Sequence, residues 1–214
     1  MDSSRLVGIY LAAGKSTRMG RSKLNLPIYE TWLGSLALRA ALESKLEHTI
    51  TVTRKGDSLK WLAPFSNRED VSILVCEEAD RGQSASLKSG VKAAVEQGAD
   101  GVVILLADQP FVTSAMINRL VDEFSASNEY SHLSYSQNGN SKPPVLLGRE
   151  LFPSLMELEG DQGARSLIRG EKALKGKQVE LNDGIYFFDI DTFEDYQALL
   201  EIWPLKGRSG DWRL

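Results

Sequence analysis

Two runs in this chain are apolar with almost no alternation: Leu6-Val7-Gly8-Ile9-Tyr10-Leu11 and Val102-Val103-Ile104-Leu105-Leu106. A strand with one solvated face alternates apolar and polar residues; a strand that does not must be covered on both faces. Segments of helical period lie between such runs. Leu33 to Leu46 carries Leu36, Leu38, Ala41 and Leu42, Leu87 to Val95 sets Val91 and Val95 a turn apart, and Thr113 to Phe124 lines up Met116, Ile117, Leu120, Val121 and Phe124. Further strands are expected at 49–53 and 71–76. The second half is less regular, with strands expected at 144–147, 178–181 and 185–188 and helices near 149–158, 163–169 and 192–202. The alternation predicts an α/β fold: a doubly wound, mostly parallel sheet of Rossmann-like type, with right-handed crossovers and helices on both faces.

In such sheets ligands sit beyond the carboxyl ends of the strands, so the loops after Leu11, Cys76 and Leu106 are where chemistry is sought. With 214 residues, 42% hydrophobic and 25% charged, the chain suits one globular domain spanning 1–214. A net charge of −4 argues against a nucleic-acid coat or a polybasic membrane binder. No apolar stretch approaches the ~20 residues of a membrane helix. Residues 1–5 lack the layout of a signal peptide, so a cytoplasmic protein is expected. The lone Cys76 closes a strand-like run and reads as a buried hydrophobe. His48 and His132 lie outside the candidate loops and are not expected to act as bases.

The first of these loops reads Leu11-Ala12-Ala13-Gly14-Lys15-Ser16-Thr17-Arg18-Met19-Gly20-Arg21-Ser22-Lys23. Four cations and no acid stand between Gly14 and Lys23 in a net acidic protein. Small residues let a ligand approach the backbone, and successive N–H groups with Lys and Arg can hold phosphate oxygens. A P-loop would need a glycine where Ile9 stands, and the glycines at 8, 14 and 20 do not make a dinucleotide fingerprint. Asp108, in Leu106-Ala107-Asp108-Gln109-Pro110, follows the other central strand. Thr113 or Ser114 can cap the next helix unaided, which leaves Asp108 available for a metal. Near Gly82, the run Gln83-Ser84-Ala85-Ser86 opens a helix, and Ser84 reads equally as its N-cap or as part of a ligand site. Asp161 could cap a helix and pair with Arg165 one turn on.

The first loop resembles the L-A-A-G-x-S-x-R-M-G-x-x-K signature of the MobA-like nucleotidyltransferases, matching at Leu11, Ala12, Ala13, Gly14, Ser16, Arg18, Met19, Gly20 and Lys23. Gly82, Ser86, Leu87 and Gly90 resemble the family's G-x-x-x-S-l-x-x-G element, and Asp108-Gln109-Pro110 its metal-binding turn. Gly160-Asp161-Gln162-Gly163-Ala164-Arg165 resembles G-D-x-G-A-R of the molybdenum cofactor cytidylyltransferase branch. Asp189-Ile190-Asp191-Thr192 resembles its D-I-D-T end.

The resemblance implies a nucleotide half at about 1–125, an acceptor half at about 126–202, and leaves the tail 203–214 without a role. It implies a nucleotide site of Leu11, Ala12, Ala13, Gly14, Lys15, Ser16, Arg18, Lys23, Gly82, Ser84 and Ser86. Arg18, Lys23 and Asp108 would be catalytic, with Arg18 and Lys23 on the phosphates. Asp108 and Asp191 would hold Mg²⁺, with Asp191 preferred over Asp189. Pro144, Asp161 and Arg165 would lie beside the acceptor. The activity implied is transfer of a nucleotide, expected to be CTP, to the terminal phosphate of molybdopterin with release of pyrophosphate, the product passing to a molybdenum hydroxylase such as xanthine dehydrogenase. GTP or another phosphorylated acceptor on the same fold, or a non-catalytic molybdopterin carrier, are the alternatives. Pro143 stands where the cytidylyltransferase branch often has histidine, and residues 27–36 lack the family's glycine-rich turn.

Overall fold

The computed structural model describes residues 4–16, 19–20, 22–127, 129–170 and 175–206. Its centre is a seven-stranded sheet in the order β5-β4-β1-β6-β8-β7-β9. β1 (Leu6–Ala12) pairs in parallel with β4 (His48–Arg54) on one side and β6 (Gly101–Leu106) on the other, and β5 (Val71–Cys76) extends the parallel set beyond β4. β8 (Asn140–Gly148) runs antiparallel to β6 and to its hairpin partner β7 (His132–Gln137). β9 (Gly176–Glu180) is parallel to β7. A short antiparallel ribbon, β2 (Pro27–Ile28) with β3 (Thr31–Trp32), stands apart. The expected mostly parallel sheet is therefore present.

The two unbroken apolar runs form the adjacent central strands, and their side chains divide between two cores. Tyr10, Val103 and Leu105 join Leu38, Trp61 and Met116 on the face covered by α1 (Leu33–Leu42) and α3 (Ser114–Ala126). Val7, Ile9, Val102 and Ile104 join Leu87, Val91 and Leu155 on the face of α2 (Gln83–Glu96), α4 (Phe152–Met156) and α5 (Ala164–Gly170). α2 approaches the sheet closely at Gly90, where a Cβ would come within 2.5 Å of Ile9. A third cluster, around Leu33, Phe111, Ile190 and Leu199, anchors α6 (Phe193–Lys206).

The second half corrects two expectations. β7 lies where no strand was expected, and its Ser134 and Ser136 are both buried. The apolar run at 185–188 is a 3-10 turn, Gly184–Phe187; the Asp183 side chain accepts the Ile185 N–H, and Tyr186 and Phe187 are buried. The tail reading is also revised in part, since α6 continues through Trp203, which stacks obliquely on Phe111 at 5.7 Å; residues 207–214 lie outside the described residues.

Candidate functional site

Strand order reverses between β1 and β6, since β1 leads outward to β4 and β5 while β6 leads the other way. A crevice opens beyond their carboxyl ends there. It is a cavity of about 630 Å³, lined by Leu11–Ser16 after β1, Ala79–Gln83 after β5, Leu106–Asp108 after β6, and by Lys23, Leu24, Ser86, Asp161 and Asp191.

Two distant segments converge on the Lys23 ammonium at the edge of this crevice. Lys23 Nζ donates to Asp108 Oδ2 at 2.8 Å, to Asp191 Oδ1 at 3.0 Å and to the Ile190 carbonyl at 2.8 Å. An ammonium has three N–H donors, and all three have protein acceptors here. Burial alone would push the Lys23 ammonium down, but the charges and hydrogen bonds of Asp108 and Asp191 outweigh it and hold its pKa above the ordinary lysine value. Lys23 is thus a charged group in a buried setting.

Each partner is itself braced. The Lys23 N–H donates to Ser16 Oγ at 3.2 Å, and Ser16 lies in the left-handed region with φ 49°. The Ile190 N–H donates to the Asp108 carbonyl at 3.0 Å, joining the segment after the 3-10 turn to the loop after β6. Asp195 Oδ2 accepts the N–H groups of Asp191 and Thr192 and the Thr192 hydroxyl, while Thr192 Oγ1 accepts the Asp195 N–H. This reciprocal box starts α6 and orients the Asp191 backbone. Burial opposes the Asp195 charge, but these donors hold its carboxyl below the usual carboxylate range.

The neighbouring Asp189 turns elsewhere and accepts Gln109 Nε2 at 2.8 Å. Partial withdrawal from water, together with Asp108 and Asp191, raises Asp189 above the ordinary aspartate value despite the Gln109 hydrogen bond. Asp191, not Asp189, shares the ammonium with Asp108.

Among the described residues no group of three or more His, Cys, Asp or Glu side chains is placed to hold a metal. A cation here would rest on the Asp108–Asp191 pair and on oxygens brought by a ligand. That donor set fits Mg²⁺, which is commonly held by one or two carboxylates plus substrate phosphates.

Residues 8–179 match the model of the MobA-like NTP transferase domain. The chain belongs to that family. The purine catabolism protein PucB of Bacillus subtilis (strain 168) is 41% identical over 206 residues, covering 93% of this chain and 98% of PucB. A probable molybdenum cofactor guanylyltransferase of Mycobacterium avium (strain 104) is 28% identical over 204 residues, covering 94% of this chain and 98% of that protein. The crystal structure of Rv0371c from Mycobacterium tuberculosis H37Rv aligns with TM-score 0.80 and 27% identity over 94% of this chain and 100% of its own. Its complex with manganese gives 0.71 and 25% over 92% and 99%.

As a MobA-like nucleotidyltransferase, the chain brings most of its expected nucleotide residues to one place. Leu11, Ala12, Ala13, Gly14, Lys15, Ser16, Lys23, Gly82 and Ser86 all line the large cavity, with Asp108 and Asp191. Arg18 lies outside the described residues. Ser84 is not among the lining residues and is no N-cap. Gly82 holds the cap position of α2 with φ 109°, and the buried Ser84 donates its N–H to the Gly160 carbonyl at 3.0 Å. A Cβ on Gly82 would lie 2.3 Å from that carbonyl oxygen, so the family's glycine here is a packing requirement between the β5–α2 loop and the 160–161 turn.

That interlock brings Asp161 into the large cavity and also into a smaller one of about 190 Å³, lined further by Pro143, Val145, Arg165 and Arg169. Leu11, Gln83, Leu106 and Asp161 line both. Asp161 and Arg165 form no ion pair among the described residues. Pro144 lines neither cavity, whereas its neighbours Pro143 and Val145 line the smaller one. Asp80, Arg81 and Gln83 were not among the expected site residues. Their signal was available, since they follow β5, one of the strands whose carboxyl ends were singled out.

Proposed function

We propose that the protein is a Mg²⁺-dependent nucleotidyltransferase that joins CTP to the terminal phosphate of molybdopterin and releases pyrophosphate. The observation that supports this most strongly is the Lys23–Asp108–Asp191 cluster at the edge of a glycine-lined crevice large enough for a nucleotide. CTP and the molybdopterin acceptor are read from the G-D-x-G-A-R segment and from the kinship with PucB. A relative named for purine catabolism agrees with a product delivered to a molybdenum hydroxylase such as xanthine dehydrogenase. A relative solved with manganese agrees with a divalent ion here.

In this reading the acceptor phosphate oxygen attacks the α-phosphorus. The bond from α-phosphorus to the bridging β-oxygen breaks, and pyrophosphate leaves with the electron pair. A phosphate monoester with its second pKa near 6 is already largely ionised at pH 7, so no general base is required. The work falls on alignment and charge. Asp108 and Asp191 would hold Mg²⁺, which when bound neutralises phosphate charge. Lys23, charged and braced by Ser16, keeps both carboxylates aimed at one point and can turn an N–H toward a phosphate as one of them takes another partner. The Leu11–Ser16 loop forms the wall on which the triphosphate lies.

A molybdopterin carrier without catalysis needs no cation bridging two carboxylates, which favours the enzyme. The test is to combine the protein with Mg²⁺, molybdopterin and each nucleoside triphosphate in turn and follow pyrophosphate. Release with CTP alone supports the full reading. Release with GTP alone moves the base assignment, and molybdopterin binding without release with any nucleotide refutes the enzyme reading in favour of a carrier.

A further inference from the structure

The short turn that carries Lys23, Lys23–Asn25, receives no side-chain cap from Ser22. It is fixed instead by a carboxylate from another part of the fold. Asp57, in the loop after β4, accepts at one oxygen, Oδ1, from Asn25 Nδ2 at 3.0 Å, from the Ser22 hydroxyl at 3.4 Å and from the Leu59 N–H at 3.3 Å. Asn25 Nδ2 also donates to Ser22 Oγ at 2.9 Å. The residues on both sides of Lys23 and Leu24 are thereby joined to each other and to the β4 loop. Asp57 lines neither cavity.

The loop is shaped to present this carboxylate. Gly56 before it and Leu59 after it both have positive φ, 82° and 52°. The Lys23 N–H is held by Ser16 Oγ and its carbonyl by the Leu26 N–H, while Asp57, through Ser22 and Asn25, ties the turn itself to the loop after β4. A side chain whose three donors meet three acceptors at 2.8–3.0 Å tolerates little displacement of its own backbone.

We infer that Asp57 is the positioning residue for Lys23, acting on nucleotidyl transfer through the turn and touching no substrate; this rests on the function proposed above. Asp57→Ala should lower kcat by roughly ten- to a hundredfold, the scale of a misplacement near 1 Å, with KM for the nucleotide changed by less than about threefold. Asp57→Asn keeps the Oδ1 acceptor and should recover most of the loss. In a Lys23→Met background, Asp57→Ala should lower kcat less than about twofold further, because the group it positions is gone. Asn25→Ala, which removes the shortest of the three hydrogen bonds, should repeat the Asp57→Ala pattern if that variant does not fold.

An equal loss in both backgrounds, an Asp57→Asn variant as damaged as Asp57→Ala, or an unchanged kcat would overturn the inference. Absence of pyrophosphate release by the unmutated protein would instead overturn the functional reading. The positioning role would then be judged by Mn²⁺ titration without substrate. Asp57→Ala should shift Mn²⁺ affinity when Lys23 is present and leave it unchanged in the Lys23→Met protein; equal behaviour in both refutes it.

Discussion

Replacing Lys23 by Met keeps most of the side-chain length and removes the charge, and its consequences can be worked from the geometry. The Lys23 side chain is 10% exposed, while those of Asp108 and Asp191 are 26% and 46% exposed. Removing one partner of a fully buried ion pair costs about 3–5 kcal/mol. Water can reach both orphaned carboxylates here, so we expect about 2–3 kcal/mol. For a chain of this length that corresponds to a melting temperature lower by roughly 4–12 °C in EDTA.

The same free energy opposes any divalent cation that must take Asp108 and Asp191 away from the ammonium. Lys23→Met should therefore bind Mn²⁺ roughly 30- to 150-fold more tightly than the unmutated protein when no nucleotide is present. Adding Mn²⁺ or Mg²⁺ should restore much of the lost melting temperature. With a nucleotide bound, the displaced ammonium has a phosphate to meet, so the difference in Mn²⁺ affinity should shrink. Melting curves with and without EDTA and Mn²⁺ titration by electron paramagnetic resonance measure all three effects. Unmutated protein that binds Mn²⁺ as tightly as the variant, with no nucleotide present, would refute the idea that Lys23 and the metal compete for one pair of carboxylates.

Asp108→Asn and Asp191→Asn should each slow transfer by roughly a hundredfold, about 3 kcal/mol at the transition state, whereas Asp189→Asn, paired with Gln109 and away from Lys23, should lose less than about tenfold. Equal losses at Asp189 and Asp191, followed by pyrophosphate release, would reject the assignment. Gly82→Ala places a methyl against the Gly160 carbonyl at a backbone angle that disfavours side chains, and should destabilise the fold by about 2–4 kcal/mol in urea unfolding. A change under 0.5 kcal/mol would show that the two turns separate easily. Burial holds the His132 imidazole below the ordinary histidine value, so the unfolded chain binds a proton that the native state resists, and stability falls as pH drops through about 6.5. His132→Gln should flatten part of that slope between pH 7 and 5, leaving the share from His48, which is shifted the same way; urea midpoints that keep the original slope would contradict this.

What the sequence made legible was local. Leu6–Leu11 and Val102–Leu106 lack polar alternation, so they had to be central strands, and the glycine loop and Asp108 follow those strands directly. The features that were not legible depend on partners far along the chain. Ser84 has the chemistry of an N-cap, yet α2 is closed by a backbone carbonyl from Gly160, which a side-chain rule cannot anticipate. No strand was expected at β7, where Ser134 and Ser136 alternate with Leu133 and Tyr135; all four are buried, and the strand is held by pairings with β8 and β9 that its local sequence does not signal. Lys23 follows the same logic. Counted along the chain it belongs to a phosphate-binding loop, and its basic neighbours direct attention outward to a ligand. In the fold it points at Asp108, 85 residues on, and Asp191, 168 residues on. Cation and carboxylates were each identified as site residues from local motifs, but their mutual neutralisation is set by tertiary structure: sheet order brings the loops after β1 and β6 together, and the third apolar cluster with the Ile190–Asp108 backbone hydrogen bond brings in the start of α6. That neutralisation explains how two carboxylates stay aimed at one point before any phosphate arrives.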